Sequence, residues 1–295
     1  MRILLTGASG FLGSRVLAEL LAREHEVHAV VRASTDRWRM PPEGATGLVL
    51  HEARLDEPPI EPELAIHLAW YSVPGRYLSA TDNFECLEMS ERLAGRLRCR
   101  MVAAGTCFEY LESSDAMRES HPLAPGTLYA SCKDSLRRRL EERGDQAWLR
   151  FFPMYGPGED PRRLVPSVAI PILERREARL TAGAQRRDYL HVDDAARAVV
   201  DVSLSNIEGP VNICSGRAPT VAEVAIEVSR RAGASELLRL GAVPGRTGDP
   251  HVILGDPSLL RSIGWTPRYD LVSGVDDTVS WWEQAPLGRR KAWRH

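Results

Sequence analysis

The sequence predicts an α/β fold in which a doubly wound parallel sheet carries helices on both faces. Short apolar runs alternate with amphipathic helical segments through the first half of the chain. Strands are predicted at 2–6, 26–31, 47–51, 64–69, 100–104 and 146–151, and helices at 11–23, 79–97 and 128–143. Buried strands that alternate with helices are typical of a parallel sheet that is covered on both faces.

A glycine-rich turn directly after the first strand is the second observation behind this prediction. The run Thr-Gly-Ala-Ser-Gly-Phe-Leu-Gly leads from the strand into the first helix. Its glycines permit a tight turn, a close approach of backbone to pyrophosphate, and close packing of helix on strand. The N–H groups and the dipole of the helix start then favour phosphate. The pattern predicts a Rossmann dinucleotide site, the alternative being a purely structural turn. Its residues are Gly7, Ser9, Gly10, Phe11, Leu12 and Gly13.

The regular alternation of strands and helices ends after Tyr155, where short elements are interspersed with Pro and Gly. We assign residues 1–155, together with about 188–205, to the Rossmann domain. Residues 156–187 and about 206–285 are assigned to a smaller C-terminal α/β substrate-binding domain, and 286–295 to a tail. Within the returning segment, His191 and Asp193 are expected to orient and cap local backbone.

The residue at the end of the second strand indicates which cofactor is used. An acidic residue there binds the ribose 2′-hydroxyl of NAD, but this chain has Arg32, with Arg37 nearby. Because a guanidinium pairs well with a 2′-phosphate, NADP(H) is the predicted cofactor. The alternative is that Arg32 is a solvated surface residue.

Three residues are predicted to carry the chemistry. Tyr129 and Lys133 lie four apart in the helix predicted at 128–143 and therefore share one of its faces. A nearby ammonium lowers the pKa of a phenol, which is otherwise near 10. Thr106 follows the fifth strand and can hydrogen-bond the reacting oxygen. Tyr129 would then exchange a proton with that oxygen while the nicotinamide exchanges hydride.

Composition limits the other classes of function. The chain has 295 residues, 43% of them apolar and 26% charged, and a net charge of −2. No global basic field indicates nucleic acid or an anionic membrane, and no apolar run approaches the roughly 20 residues of a membrane helix. Five scattered cysteines without CxxC spacing favour reduced thiols, and no metal site is predicted. We expect a cytoplasmic protein without a signal peptide.

These residues resemble those of extended short-chain dehydrogenase/reductases that act on nucleotide sugars, and the resemblance covers nearly the whole chain. It implies a dimer through helices 79–97 and 128–143, cofactor contacts from Leu55, Leu68 and Ala69, and a diphosphate clamp formed by two arginines, Arg187 and Arg246. Other segments that carry it are His67-Leu-Ala-Trp70, Asn83, Arg-Phe-Phe-Pro-Met-Tyr-Gly-Pro-Gly at 150–158, Arg-Asp-Tyr-Leu-His-Val-Asp-Asp at 187–194, and Gly-Trp-Thr-Pro at 264–267.

Departures from the family pattern indicate the reaction. Dehydratases of this family carry Asp-Glu after the catalytic Thr, whereas Thr106 is followed by Cys107-Phe108, with Glu109 one place late. With NADPH as a consumed reductant, the resemblance implies reduction of the C4 ketone of a nucleotide-activated, dTDP-linked 4-keto-6-deoxyhexose. Three alternatives remain: a nucleotide-sugar 4-epimerase that uses NAD(P), a carbonyl reductase of non-nucleotide substrates, and a non-catalytic NADP-binding sensor.

Overall fold

The computed structural model describes residues 1–245, 248–286 and 288. Its strands are β1 (Arg2–Thr6), β2 (Glu26–Val31), β3 (Leu48–Glu52), β4 (Leu64–His67), β5 (Arg100–Thr106), β6 (Gln146–Phe151), β7 (Met154–Tyr155), β8 (Ala178–Arg179), β9 (Arg186–Arg187), β10 (Leu190–His191), β11 (Gly209–Ile213), β12 (Leu238–Arg239) and β13 (Val252–Ile253). Its α-helices are α1 (Phe11–Ala22), α2 (Asp82–Arg96), α3 (Leu128–Arg143), α4 (Leu164–Leu173), α5 (Val192–Ser203), α6 (Val221–Arg231), α7 (Ser258–Ser262) and α8 (Leu271–Gln284). One-turn 3₁₀ helices follow β5 (Cys107–Glu109) and precede β12 (Ser235–Leu237).

Seven strands form the main sheet in the order β11-β6-β5-β4-β1-β2-β3. Every neighbouring pair is parallel. Because the chain runs outward from β1 to β2 and β3 and then returns to β4, the direction of winding reverses between β1 and β4. In sheets of this kind ligands bind in the crevice at the carboxyl ends of the strands where that reversal occurs. The predicted fold class is confirmed.

Alternate residues of the central strand supply the cores on the two faces of the sheet. Ile3 and Leu5 lie in one cluster with buried residues of α1 and α5, whereas Leu4 lies in another with Leu93 of α2 and Leu136 of α3. Successive side chains of a strand point to opposite faces, so a wholly apolar strand is covered on both sides. This is why the run at 2–6 is apolar without alternation.

The C-terminal part of the chain has a smaller core of its own. Helices α4, α6 and α8 pack around a set of buried aliphatic residues, and two-stranded parallel pairs (β8 with β12, β9 with β13) lie outside the main sheet. Members of this core include Val168, Val224, Val228, Val275 and Val279. Among the residues that the structure describes, no helix combines the length and the apolar character needed to cross a bilayer.

The main sheet uses more of the chain than the sequence predicted. Strand β11 (Gly209–Ile213) pairs with β6, so the return to the sheet extends past the segment of about 188–205. A five-residue edge strand that contains Pro210 has little of the apolar signature of the inner strands. The local prediction for α5 holds, since the side chain of His191 accepts a hydrogen bond from the amide of Asp193 and caps the helix.

The turn between β1 and α1 requires a residue without a side chain at position 13. A Cβ at this position would lie 2.0 Å from the carbonyl oxygen of Gly7. We expect Gly13→Ala to destabilise the fold by about 1–3 kcal/mol, because backbone must move to relieve the clash. The matched control is Gly95→Ala in α2, where an added Cβ meets nothing within 4 Å. It should stabilise the helix by up to about 1 kcal/mol. Urea unfolding midpoints measure both effects, and equal midpoints for Gly13→Ala and the wild type would contradict the packing described here.

Candidate active site

The close approach of two backbone segments shapes the glycine-rich turn between β1 and α1, the predicted dinucleotide site. Gly7 has φ of +78°, and a Cβ on it would lie 2.8 Å from the amide nitrogen of Ala69 and 2.9 Å from the carbonyl carbon of Leu68. The amide of Gly10 donates to the carbonyl of Gly7 at 2.9 Å and closes the turn, after which α1 begins. The structure therefore brings together the predicted cofactor residues from the ends of β1 and β4. Ser9, Phe11 and Leu12 stand at the same helix start.

A buried chain of hydrogen bonds fixes the ends of β1 and β4 against α2. The hydroxyl of Thr6 lies 2.8 Å from Nδ1 of His67, and Nε2 lies 2.8 Å from the hydroxyl of Ser90. Since Ser90 donates its proton to the carbonyl of Cys86, Nε2 carries the imidazole proton and Nδ1 accepts from Thr6. Thr6 in turn accepts from the amide of Ala69. Burial, with the charge of Lys133, lowers the pKa of His67 to about 3.

The predicted trio is assembled from β5 and α3. Thr106 ends β5 and caps the following one-turn helix, while Thr127 caps α3 through the amide of Ala130. The Thr106 side chain hydrogen-bonds Tyr129, and Nζ of Lys133 donates to the carbonyl of Ala104 at 2.6 Å. Thr106 and Tyr129 are therefore in contact at the carboxyl end of the sheet, and Nζ of Lys133 lies 5.9 Å from the centroid of the Tyr129 ring.

Burial governs the ionisation of the pair on α3. It raises the pKa of Tyr129 well above its usual range, against the lowering effect of the hydrogen bond with Thr106. It lowers the pKa of Lys133 to about 7, against the raising effect of the Glu109 carboxylate and of Cys86. Tyr129 is thus held as a neutral phenol, which can donate a proton, beside a lysine whose charge changes near neutral pH.

Two aromatic residues of the site were not predicted from the sequence. The ring of Tyr77 meets that of Tyr129 edge to face, with centroids 5.0 Å apart. The ring of Trp70 lies edge to face with Tyr129 at 6.4 Å, and its centroid is 3.7 Å from Nζ of Lys133. Trp70 did appear in the segment that begins at His67, but its type alone did not distinguish a site residue from a packing residue. The sequence carries no comparable signal for Tyr77.

Glu109 lies behind the end of β5, and both of its carboxylate oxygens accept hydrogen bonds from neighbouring groups. Its Oε1 accepts from the amide of Thr106 at 2.9 Å, and its Oε2 accepts from Nε of Arg150 at 2.8 Å. The indole N–H of Trp148 donates to both oxygens at 3.0 Å. The residue is fully buried. This carboxylate is therefore committed to holding the end of β5.

The predicted 2′-phosphate site lies on an exposed segment after β2. Arg32 is exposed, and its amide donates to the hydroxyl of Thr35. Arg37 forms an ion pair with Glu52 at the end of β3, whereas Arg32 forms none within the described ranges. Leu55 precedes Asp56, whose carboxylate is bound by the guanidinium groups of two arginines of the same region, Arg54 and Arg92. Of the two arginines after β2 that were considered for the 2′-phosphate, Arg37 is therefore paired and Arg32 has no ion-pair partner in the described chain.

Of the two arginines predicted to bind the diphosphate, the structure describes only Arg187. Arg187 on β9 is buried, and its Nη2 lies 2.6 Å from Oδ1 of Asp249. Arg246 lies outside the described residues. The neighbouring Asp188 holds the loop after β11, since it accepts from Ser215 and from the amides of two glycines, Gly216 and Gly255.

Comparison with known proteins identifies the family and agrees with the fold. A family model described as the NAD dependent epimerase/dehydratase family matches residues 3–214. A UDP-glucose 4-epimerase from Neisseria meningitidis serogroup C is 25% identical over 97% of this chain and 98% of its own length. A dTDP-glucose 4,6-dehydratase from Streptomyces niveus is 29% identical, in a match that spans 57% of this chain and 52% of that protein. The solved UDP-glucose 4-epimerase of Thermus thermophilus, in complex with NAD, has a TM-score of 0.82 at 24% identity and covers 97% of this chain and 100% of its own.

A parallel sheet of this order, with a phosphate-binding turn where its winding reverses, is the framework of an enzyme that uses a nicotinamide cofactor. The family match covers well over half of the chain. The chain therefore belongs to the NAD dependent epimerase/dehydratase family, within the extended short-chain dehydrogenase/reductases. The structural likeness supports the fold and leaves the particular reaction to the residues of the site.

The lowered pKa of His67 predicts how the free energy of unfolding depends on pH. The pKa of His67 is lower in the folded than in the unfolded protein, so its contribution to stability is fully present above about pH 6.5 and is lost as pH falls toward 3. His67→Gln keeps an acceptor and a donor but does not titrate, so its unfolding free energy should fall less steeply between pH 6.5 and 5. Urea unfolding at several pH values measures the slope. His251→Gln, at an exposed histidine, is the control and should keep the wild-type slope. A wild-type slope in His67→Gln would contradict the assignment.

Proposed function

We propose that the protein is an NADPH-dependent reductase of the C4 ketone of a nucleotide-linked 4-keto-6-deoxyhexose, probed most directly with the dTDP sugar. The observation that carries the proposal is Arg32, a guanidinium without an ion-pair partner in the described chain at the position where an acidic residue would bind the ribose of NAD. A 2′-phosphate would supply the missing partner. NADPH is the nicotinamide cofactor that cells keep reduced, so its use indicates net reduction.

The glycine turn fits a dinucleotide. Gly7 and Gly13 have no room for a side chain, and Gly10 opens α1 on the exposed side of the turn. Backbone N–H groups at this helix start can therefore reach a pyrophosphate. When bound, the cofactor supplies the hydride that is added to the C4 carbon of the ketone.

The residues of the trio complete the reduction. Thr106 and Tyr129 hydrogen-bond the carbonyl oxygen, and Tyr129 transfers its phenolic proton to that oxygen as the C–H bond forms, which leaves an alcohol and a phenolate. The raised pKa of Tyr129 keeps it protonated at the start, as a proton donor requires. The ammonium of Lys133 then stabilises the phenolate until solvent returns the proton.

The environment of Glu109 argues against a dehydratase. Loss of water from a sugar requires an acid that faces the leaving hydroxyl. The oxygens of Glu109 already accept from Thr106, Trp148 and Arg150. Cys107, which directly follows Thr106, is a poor replacement, because burial raises the pKa of this thiol to about 12, far above that of a carboxylic acid.

The substrate class rests on two arginines. We propose that Arg187 and Arg246 pair with the diphosphate of the nucleotide, as bidentate guanidinium groups do. Arg187 would exchange its bond with Asp249 for a phosphate oxygen. A carbonyl reductase of non-nucleotide substrates would not need either residue, and a cofactor-binding sensor would not need Tyr129 and Lys133.

A nucleotide-sugar 4-epimerase is the second candidate. It is favoured by the similarity to the Neisseria enzyme, which extends over 97% of this chain. An epimerase would keep its nicotinamide through purification and would consume no NADPH. For either reaction we propose a cytoplasmic homodimer that pairs through α2 and α3, where Phe84 is 58% exposed.

The decisive measurement is absorbance at 340 nm with purified protein, dTDP-4-keto-6-deoxyglucose, and NADPH or NADH in parallel. We expect absorbance to fall with NADPH and little with NADH. Tyr129→Phe should reduce turnover by at least about 100-fold while NADPH still binds, because only the proton donor is lost. No fall with either cofactor, together with nicotinamide that copurifies with the protein, would replace the reductase by the epimerase.

The role of Arg32 has its own test. Arg32→Ala should raise KM for NADPH by about 10- to 100-fold, since a charge-assisted pair is lost, and should leave KM for NADH nearly unchanged. Arg37→Ala is the matched control, because the guanidinium of Arg37 is already paired with Glu52. It should change the NADPH KM much less. An equal effect of the two substitutions would show that the 2′-phosphate does not rest on Arg32.

A further inference from the structure

Trp70 is held rigidly beside the candidate catalytic pair. Its indole N–H donates to Oδ1 of Asn83 at 2.8 Å. Asn83 is fully buried, and its amide nitrogen donates to the carbonyls of Tyr77 and Ala80 at 2.7 and 2.8 Å. Asn83 therefore ties the indole to the segment that leads into α2. The orientation of the ring is fixed independently of Lys133.

The face of this ring is aimed at a buried charge. Nζ of Lys133 lies 3.7 Å from the Trp70 centroid, and the lysine is only 1% exposed. Within the described part of the chain its ammonium donates one hydrogen bond, to the carbonyl of Ala104, although an ammonium has three donors. An ammonium over the face of tryptophan is attracted by the negative face of the ring, most strongly where water is excluded.

Lysine is rare in this chain. Lys133 and Lys291 are the only lysines among 38 Lys and Arg residues. Arginine stays charged in proteins, whereas the charge of a buried lysine depends on its surroundings. The groups around Lys133 therefore decide whether it is an ammonium at working pH.

We propose that Trp70 is a positioning residue of the active site, whose indole face holds the Lys133 ammonium next to Tyr129. Lys133 also faces Glu109 from the one-turn helix after β5, Cys86 from α2, His67 from β4, and Tyr129 on its own helix. Glu109 is bound by Arg150, and burial keeps the Cys86 thiol and the His67 imidazole neutral. Two uncharged groups therefore favour the charged lysine, the carbonyl of Ala104 and the ring face of Trp70, and only the ring belongs to a side chain.

The lysine count allows a direct test that needs no substrate. Protein labelled with ¹³C at lysine Cε, in a Lys291→Arg background, gives the NMR signal of Lys133 alone. Its chemical shift against pH reports the pKa of Lys133. We expect Trp70→Leu to lower this pKa by about one unit and Trp70→Phe to lower it by less, since phenylalanine keeps a ring face. Tyr77→Leu is the control, because Tyr77 packs on Tyr129, and it should leave the pKa of Lys133 within about a third of a unit.

A second series covers the case in which Trp70→Leu fails to fold. Tryptophan with one, two or three fluorine atoms, inserted at position 70, keeps the shape of the ring and weakens its negative face. The pKa of Lys133 should fall stepwise with fluorine number. An unchanged pKa across the folded leucine and fluorinated variants would overturn the proposal and reduce Trp70 to a packing residue.

The kinetic readout rests on the proposed function. In the reduction, loss of the lysine charge sets an alkaline limb in the pH profile of kcat. Trp70→Leu should move this limb to lower pH by the same shift that NMR reports, with a change of less than about threefold in KM for NADPH. A limb that stays in place while kcat falls equally at all pH values would contradict the proposal. Wild-type protein that consumes no NADPH would overturn the reductase, and the NMR titration would still decide the role of Trp70.

Discussion

The junction between the carboxyl ends of β1 and β4 is the constraint on which the rest of the site depends. The side chains of Thr6, His67 and Ser90 form one buried line of hydrogen bonds from strand to strand to helix. Because this line fixes the distance between the two strand ends, the backbone after β4 lies against Gly7, where only a glycine fits. The positions of the glycine-rich turn after β1 and of the segment that carries Trp70 therefore depend on the same three hydrogen-bonded side chains. A neutral imidazole suits this position, since it donates at one nitrogen and accepts at the other.

Burial produces opposite effects on the two sides of the reaction centre. Behind β5, Glu109 and Arg150 neutralise each other, and their hydrogen bonds to Thr106, Trp148 and Tyr110 leave the pair well satisfied. In front of it, Lys133 has no carboxylate at bonding distance among the described residues, so desolvation acts on its charge directly. The charges of Glu109 and Arg150 are thus fixed by their pairing, whereas the charge of Lys133 depends on the groups that surround it. That division would suit the proposed reduction, in which the phenol of Tyr129 changes protonation within each turnover.

The sequence predicted those parts of the fold that depend on local pattern. The bounds predicted for the strand at 146–151 and the helix at 128–143 agree with β6 and α3, and two of the predicted site residues, Thr106 and Tyr129, are in contact. Residues 209–213 form β11 of the main sheet, although the sequence predicted them to lie in the substrate-binding domain. An edge strand of this composition is recognised only from its pairing with a neighbour. Pairings across long sequence separations were also missed: Arg187 with Asp249, Trp70 with Lys133, and Glu109 with Arg150. Such contacts depend on how elements are brought together in space, which periodicity does not report.

The rarity of lysine has a consequence for the chemical reactivity of the protein. Apart from the α-amino group of Met1 and the histidines, positive charge elsewhere in residues 1–286 is carried by guanidinium groups, which do not react with acylating or sulfonylating reagents under mild conditions. Lys133 is buried beside Trp70 and Tyr129, and its pKa of about 7 leaves a substantial fraction as the free amine at neutral pH. A sulfonyl fluoride or activated ester attached to a ligand of this pocket would find one nucleophilic amine there, Nζ of Lys133. Because the chain has only two lysines, Lys133 is easy to resolve by NMR and is also a selective site for covalent attachment.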